Sequence, residues 1–405
     1  MRITDTRREP LACKHPDAQF PYPGETFGIA YPLSVPEFGR VYLWADGKGY
    51  TSRTHELLLE RELATCRYQR SLEFIKQYQR KGVPLAELLA RLDAAKPPAQ
   101  PEGEPLLKSL RESLLAGEEA ALAVARFRLG RIGWREAFLW GVVLTDPAIP
   151  VQPLHPPFNQ LSLSMAQQSP EAWESVVQQA QQERLLVRGE SILTAEFVQR
   201  AVESSQLLQE SLTSRLRDAL SLYRGRIRYW EILSDLPDSL HLLAEEHKAT
   251  ASMVATLCEA ARAVDFGIVR LLGVRYSLHH PRAAFDLLDR LVESGVPFEG
   301  VNLHLYWHDF DLLDFDFVVE HYGELGKPLH LTLHLPPTDP HQAGDFFWRA
   351  PISEAVQADW LLHTLIIALS KPFIVGVQVG LDSLAESTIQ RMREQHQAWK
   401  QGRTP

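Results

Sequence analysis

The chain has 405 residues, 45% of them hydrophobic and 23% charged, a globular balance sufficient for one large core and a smaller unit. A formal net charge of -9 argues against nucleic acid as a partner, and no stretch approaches the roughly 18 uninterrupted apolar residues of a membrane span. The opening MRITDTRREPLACKHPDAQF lacks the apolar centre of a secretory signal, so a cytoplasmic location is expected. Cys13, Cys66 and Cys258 show neither a disulfide pattern nor zinc-ligand spacing.

Residues 27–50 are rich in aromatic and β-branched side chains punctuated by Pro and Gly, which predicts short strands with a tight turn at Asp46-Gly47. From His55 to Ala95 leucines and aromatics recur at helical spacing, broken near Gly82-Val83-Pro84. KPPAQPEGEP (96–105) reads as a linker, and LLKSLRESLLAGEEAALAVARFRL as a further helix. An N-terminal β/helical region over 1–130 is therefore expected.

Beyond Arg131 short aliphatic runs alternate with amphipathic ones. The expected strands are 137–145, 158–165, 184–192, 227–234, 267–277, 299–307, 328–335 and 372–380. Eight strands with intervening helices predict an α/β fold, a (β/α)8 TIM barrel over 131–390, with a C-terminal tail over 391–405. Its weakest crossover is the proline-rich DPAIPVQPLHPP, too short for a regular helix.

Every second side chain of a barrel strand faces the lumen, so the polar members of an alternating strand mark that face. Those members are Asn302, His304 and Tyr306 in VNLHLYW, His330, Thr332 and His334 in PLHLTLHL, and Arg188 and Glu190 in LLVRGES. In RIRYWEILSDL, Glu231, Leu233 and Asp235 alternate with Trp230, Ile232 and Ser234. With Asp235 inward, the barrel top gathers Glu190, Asp235, Asn302, His304, Tyr306 and His334, at the face where barrel enzymes carry their chemistry. Taken singly, each histidine reads more readily as a hydrogen-bonded lumen residue than as a catalyst, while Asp235 reads equally as a helix cap and Trp230 as packing. No Walker loop, GxSxG elbow, GxGxxG or helical metal motif is present, and neither cofactor nor metal is expected.

In order along the chain, these segments resemble glycoside hydrolase family 10, the retaining xylanases. SRLRDALSLYRGRIRYWEILSD resembles the family's crossover helix and its Trp-Asp-Val-Val-Asn-Glu strand; FNQLSLSM, LLVRGESI, LLDRLVESGVPFEGVNLHLYW and ELGKPLHLTLHLPP resemble other strands of the series. QADWLLHTLIIALSKPFIVGVQVGLDS resembles its last helix and strand. The resemblance implies hydrolysis of β-1,4-xylan by two glutamates about 5–5.5 Å apart, one acid/base and one nucleophile. It places Asp235 at the acid/base position as the catalytic candidate, and Asn159, Arg188, Glu190, Trp230, Asn302, His304, Tyr306 and His334 among the substrate-binding candidates. The nucleophile position falls on Leu333, or on His334 if the polar face decides register, and neither is a carboxylate. The family's Pro-Glu-Asn is Leu163-Ser164-Met165 here, and VGVQVGLDS lacks its tryptophan.

The expected function is accordingly a divergent barrel, impaired in retaining hydrolysis and binding carbohydrate or another ligand. Two alternatives stand beside it: an active glycosidase pairing Asp235 with Glu190 or Glu231, and a scaffold using the N-terminal region as a protein-partner surface.

Overall fold

In a computed structural model, residues 1–11, 24–51, 53–54, 57–98, 103–149, 157–166, 168–203, 208–236, 247–278, 280–343 and 348–402 are described. Eight parallel strands close into a barrel: β4 (Leu139–Leu144), β5 (Gln160–Ser164), β6 (Leu186–Glu190), β7 (Tyr229–Leu236), β8 (Val269–Arg275), β9 (Gly300–Tyr306), β10 (Leu329–His334) and β11 (Ile374–Gly380). Each lies within a run expected to be a strand, except that β7 extends two residues further. The fold is a (β/α)8 TIM barrel preceded by a small antiparallel sheet. β4 and β5 pair directly, although no helix joins them among the described residues; 150–156, the middle of the proline-rich crossover, lie outside that set.

The sheet orders β1 (Arg2–Asp5), β2 (Phe27–Val35) and β3 (Gly39–Tyr50). Its hairpin turns at 36–38, where Glu37 takes φ 59°, and not at Asp46-Gly47 as expected. The register shifts between Phe27 and Ile29, so Asp46 and Gly47 sit in a bulge of β3: the Asp-Gly pair bends a strand instead of ending one. Helices α1 (Leu59–Arg80) and α2 (Ala86–Ala94) are separated at the predicted Gly82-Val83-Pro84 break, and α3 (Glu104–Ile132) follows. Of the residues expected as a C-terminal tail, 391–400 instead belong to the helix Glu386–Lys400, whose Trp399 packs 5.7 Å from Trp140 of β4, and 403–405 lie outside the described residues.

Charged side chains lock α1 and α3 to the barrel. Buried Arg67 of α1 pairs with Asp311 at 2.8 Å, and Asp311 caps the helix Leu312–Gly323 by accepting from the Leu313 and Asp314 amides. Glu118 of α3, fully buried, accepts from the Leu312 amide at 3.1 Å, Trp348 Nε1 at 3.2 Å and Arg349 Nε at 3.0 Å. Both lie against chain that follows β9 and β10, so the N-terminal region packs beside the carboxyl end of the barrel. Among the described residues no helix is long and apolar enough to cross a membrane.

Candidate active site at the carboxyl end of the barrel

The lumen is filled by one hydrogen-bonded polar network. Arg188 of β6 lies between two carboxylates, 2.9 Å from Glu190 Oε1 and 3.3 Å from Glu231 Oε2, and these side chains are 1%, 3% and 0% exposed. Asn302 of β9 donates to Glu231 and accepts from Thr332 of β10 at 3.1 Å. Gln378 of β11 donates to Glu190 and to Thr332 and accepts from Ser162 of β5 at 2.6 Å. A filled polar interior of this kind leaves little lumen for a ligand, and within it Arg188 Nε, in ion-pair range of Glu190, makes no hydrogen bond.

Toward the mouth His304 Nε2 lies 3.4 Å from Glu231, and its Nδ1 lies 3.4 Å from His334 Nε2. His334 stacks on Tyr306 at 3.9 Å with only 2° between the planes, and Arg275 covers the ring of Tyr306 at 4.5 Å. Tyr306 thus carries an imidazole stacked on its ring and a guanidinium over it.

Electrostatics divide the acids. Burial alone would raise Glu231, but His304, Arg188 and the Ser234 hydroxyl outweigh it and hold the carboxyl at about 2. Burial, opposed by Arg188 and reinforced by Glu231, raises Glu190. Burial lowers the His304 imidazole, yet Glu231 more than compensates and its pKa rises; burial and the neighbouring His304 and Arg275 lower His334 to about 3. At neutral pH the mouth thus presents a neutral imidazole beside a phenol whose own pKa is raised by burial.

Of the residues singled out from the sequence, Arg188, Glu190, Asn302, His304, Tyr306 and His334 are brought together. Asn159 is not: it precedes β5 at the amino end of the barrel, its side chain accepting from the Trp140 amide at 2.8 Å and donating to the Phe138 carbonyl at 3.0 Å. Trp230 also departs from the expected ligand role, since it is buried over Gly189 and its indole donates to the Ile227 carbonyl at 3.0 Å. Strict alternation fails along β7, where register shifts flank Leu233 and bring Ser234 onto the Glu231 carboxylate. Asp235, one residue before the end of β7, takes φ 56°, a left-handed conformation rare outside glycine, with its carboxylate 3.4 Å from the Ala195 amide. Gln378 and Ser162 went unnoticed in the sequence, although each is the polar member of an alternating run, VGVQVG and QLSLS, and the same rule finds them.

Gly273 of β8 leaves the space that Glu231 occupies: a Cβ there would stand 2.5 Å from its carboxyl group. Gly273→Ala is expected to push the carboxylate off Asn302 and Arg188 and to cost about 1–3 kcal/mol, read from the urea midpoint. The depressed histidines carry a pH prediction. His334 at about 3, His363 at about 4 and His330 well below 6.5 take up protons in the unfolded chain first. Stability contributed by their neutral forms is therefore lost as pH falls from 6.5 toward their folded values, whereas His304, with its raised pKa, contributes in the opposite sense. The urea midpoint should fall between pH 7 and pH 4, and His334→Gln should flatten that decline.

No family model and no curated protein matches this sequence. Solved structures do match in fold. A family 10 endoxylanase retrieved from a sugarcane soil metagenome is 13% identical, with a TM-score of 0.50 over 64% of this chain and 96% of that one. A family 10 enzyme from Paenibacillus barcinonensis is 13% identical, with a TM-score of 0.46 over 60% and 83%. An intracellular xylanase from Thermoanaerobacterium saccharolyticum is 14% identical, with a TM-score of 0.44 over 60% and 86%. The class is thus a TIM barrel, and its arrangement is like that of family 10 glycoside hydrolases; at this identity the likeness is one of fold.

Proposed function

We propose that the barrel binds a neutral carbohydrate-like ligand at its carboxyl mouth and does not hydrolyse it by double displacement. The observation that carries this reading is the end of β10, where Leu333 is buried and His334, an imidazole with a pKa of about 3, stacks on Tyr306. A retaining mechanism needs a carboxylate nucleophile beside the acid/base, and no acid is present in β10. Nor are Glu190 and Glu231 free to replace it, because both are buried against Arg188. The neutral imidazole and the phenol match sugar hydroxyls, which both donate and accept hydrogen bonds. A cytoplasmic location, the expectation from sequence, fits an oligosaccharide better than polymeric xylan.

One observation favours a second reading. The left-handed Asp235 is the kind of outlier that clusters at working sites, and as an acid it could serve an inverting hydrolysis with a second carboxyl farther away. Titration of xylotriose and xylohexaose into the wild type, followed by calorimetry and by reducing-end release, separates the two. Saturable heat without new reducing ends supports binding alone; release that disappears in Asp235→Ala supports hydrolysis. Absence of both removes carbohydrate from the account.

A further inference from the structure

Away from the mouth, a cleft of about 430 Å³ opens where the N-terminal sheet meets the barrel. Arg7, Arg8 and Trp44 line it from the sheet side, Arg70 from α1, and Tyr276 and Arg282 from the chain after β8. A second hollow of about 430 Å³ shares Arg8, Trp44, Arg70 and Phe317 with it, so the two form one groove. Volumes of this size suit small organic ligands.

We propose that this groove binds a small organic anion, a carboxylate or phosphate carried on a planar or apolar body. Two guanidinium groups lie flat on aromatic rings, Arg8 over Trp44 at 4.8 Å and Arg70 over Phe317 at 4.5 Å, which combines cationic donors with apolar walls. Asp46 and Asp314 pair with these two arginines, at 2.6 Å each. The cations beyond them are the ones available to a ligand. The Arg282 side chain has no partner among the described residues, and Arg7, 58% exposed, makes one solvent-exposed ion pair with Asp286 at 3.4 Å. The first hollow holds three further acids: Asp309, pushed by burial to about 7, Glu320, neutralised by Lys371 and Arg128, and Glu324, 3.2 Å from His321; Glu62 and Glu73 line the second, so the anion is placed at the Arg7 and Arg282 end of the first.

The two walls are held in register. Glu9 accepts from the Arg282 amide at 2.7 Å and lies 3.3 Å from His280, while its own amide donates to Asp5 at 2.9 Å. Within that turn Arg8 is held at φ 69°, a left-handed conformation that a non-glycine residue adopts at a cost. A preorganised pair of walls loses less entropy when a ligand enters.

The test is calorimetric titration of the full chain with phenyl phosphate, benzoate, inorganic phosphate and the neutral phenyl β-glucoside, with Arg282→Gln and Arg7→Gln as variants. Phenyl phosphate or benzoate should saturate at millimolar concentration or below, inorganic phosphate should bind more weakly, and the glucoside should not compete. Which of the two aromatic anions binds more tightly distinguishes phosphate from carboxylate as the natural group. Arg282→Gln should weaken binding about tenfold, the loss of one charge-assisted hydrogen bond, with an unchanged melting temperature. Failure of both aromatic anions to saturate, equal binding by Arg282→Gln and Arg7→Gln, or competition by the glucoside would each overturn the proposal.

Discussion

Arg188→Met should destabilise the protein by about 3–5 kcal/mol at pH 7, because it removes the one cation between two fully buried carboxylates. Methionine fills much of the arginine stem's volume, so the loss reports charge rather than a cavity. Glu190 and Glu231 would then repel each other without solvent to screen them, and one would take a proton to relieve the repulsion. A carboxyl whose folded pKa is raised loses stability as pH rises through its titration, so the deficit against the wild type should shrink as pH is lowered. Urea denaturation of both proteins at pH 7 and pH 5 measures both parts. An equal deficit at the two pH values would mean that the carboxylates do not interact through Arg188.

The second large effect is expected at Glu118, which ties α3 to both segments beyond the strands β9 and β10. Glu118→Ala strips partners from the Leu312 amide, the Trp348 indole and the Arg349 guanidinium together. Breaking a buried ion pair on one side costs about 3–5 kcal/mol, most of it the penalty for leaving the partner groups unsatisfied. The damage should be local as well as global. Arg349 also donates its amide to the Phe38 carbonyl, so loosening this segment frees the hairpin of the N-terminal sheet. Limited proteolysis should therefore cut near 348–350 in the variant before the barrel unfolds, and Glu118→Gln, which keeps one acceptor, should fall between the two.

Legibility in the sequence followed physical periodicity. Barrel strands announce themselves because a buried parallel strand needs a short aliphatic run bounded by turn chemistry, and all eight runs became strands. The polar face of β9 and of β10 was legible for the same reason: Asn302, His304, Thr332 and His334 join the lumen network in the alternation that the text shows. β7 resisted because its register slips twice, which no periodicity in RIRYWEILSDL reveals. Trp230 stood among the binding candidates through the resemblance, with packing as its alternative, and packing is what the structure shows, because Gly189 on the adjacent strand makes room to bury it. Asn159 clips two strand starts together, a role visible only once β4 and β5 are neighbours. Asp46-Gly47 misled because the same dipeptide serves a hairpin turn and a bulge.

The proposed function requires that the carboxylates described in this barrel form no covalent bond to a sugar. Intact-protein mass spectrometry after incubation with an activated 2-fluoro-xylobioside tests it most directly, since that reagent traps a glycosyl-enzyme when a nucleophilic carboxylate is present. The predicted spectrum shows the unmodified chain alone, with xylohexaose still binding. A mass gain of one fluoro-xylobiosyl unit, mapped to any Asp or Glu of the barrel, would contradict it.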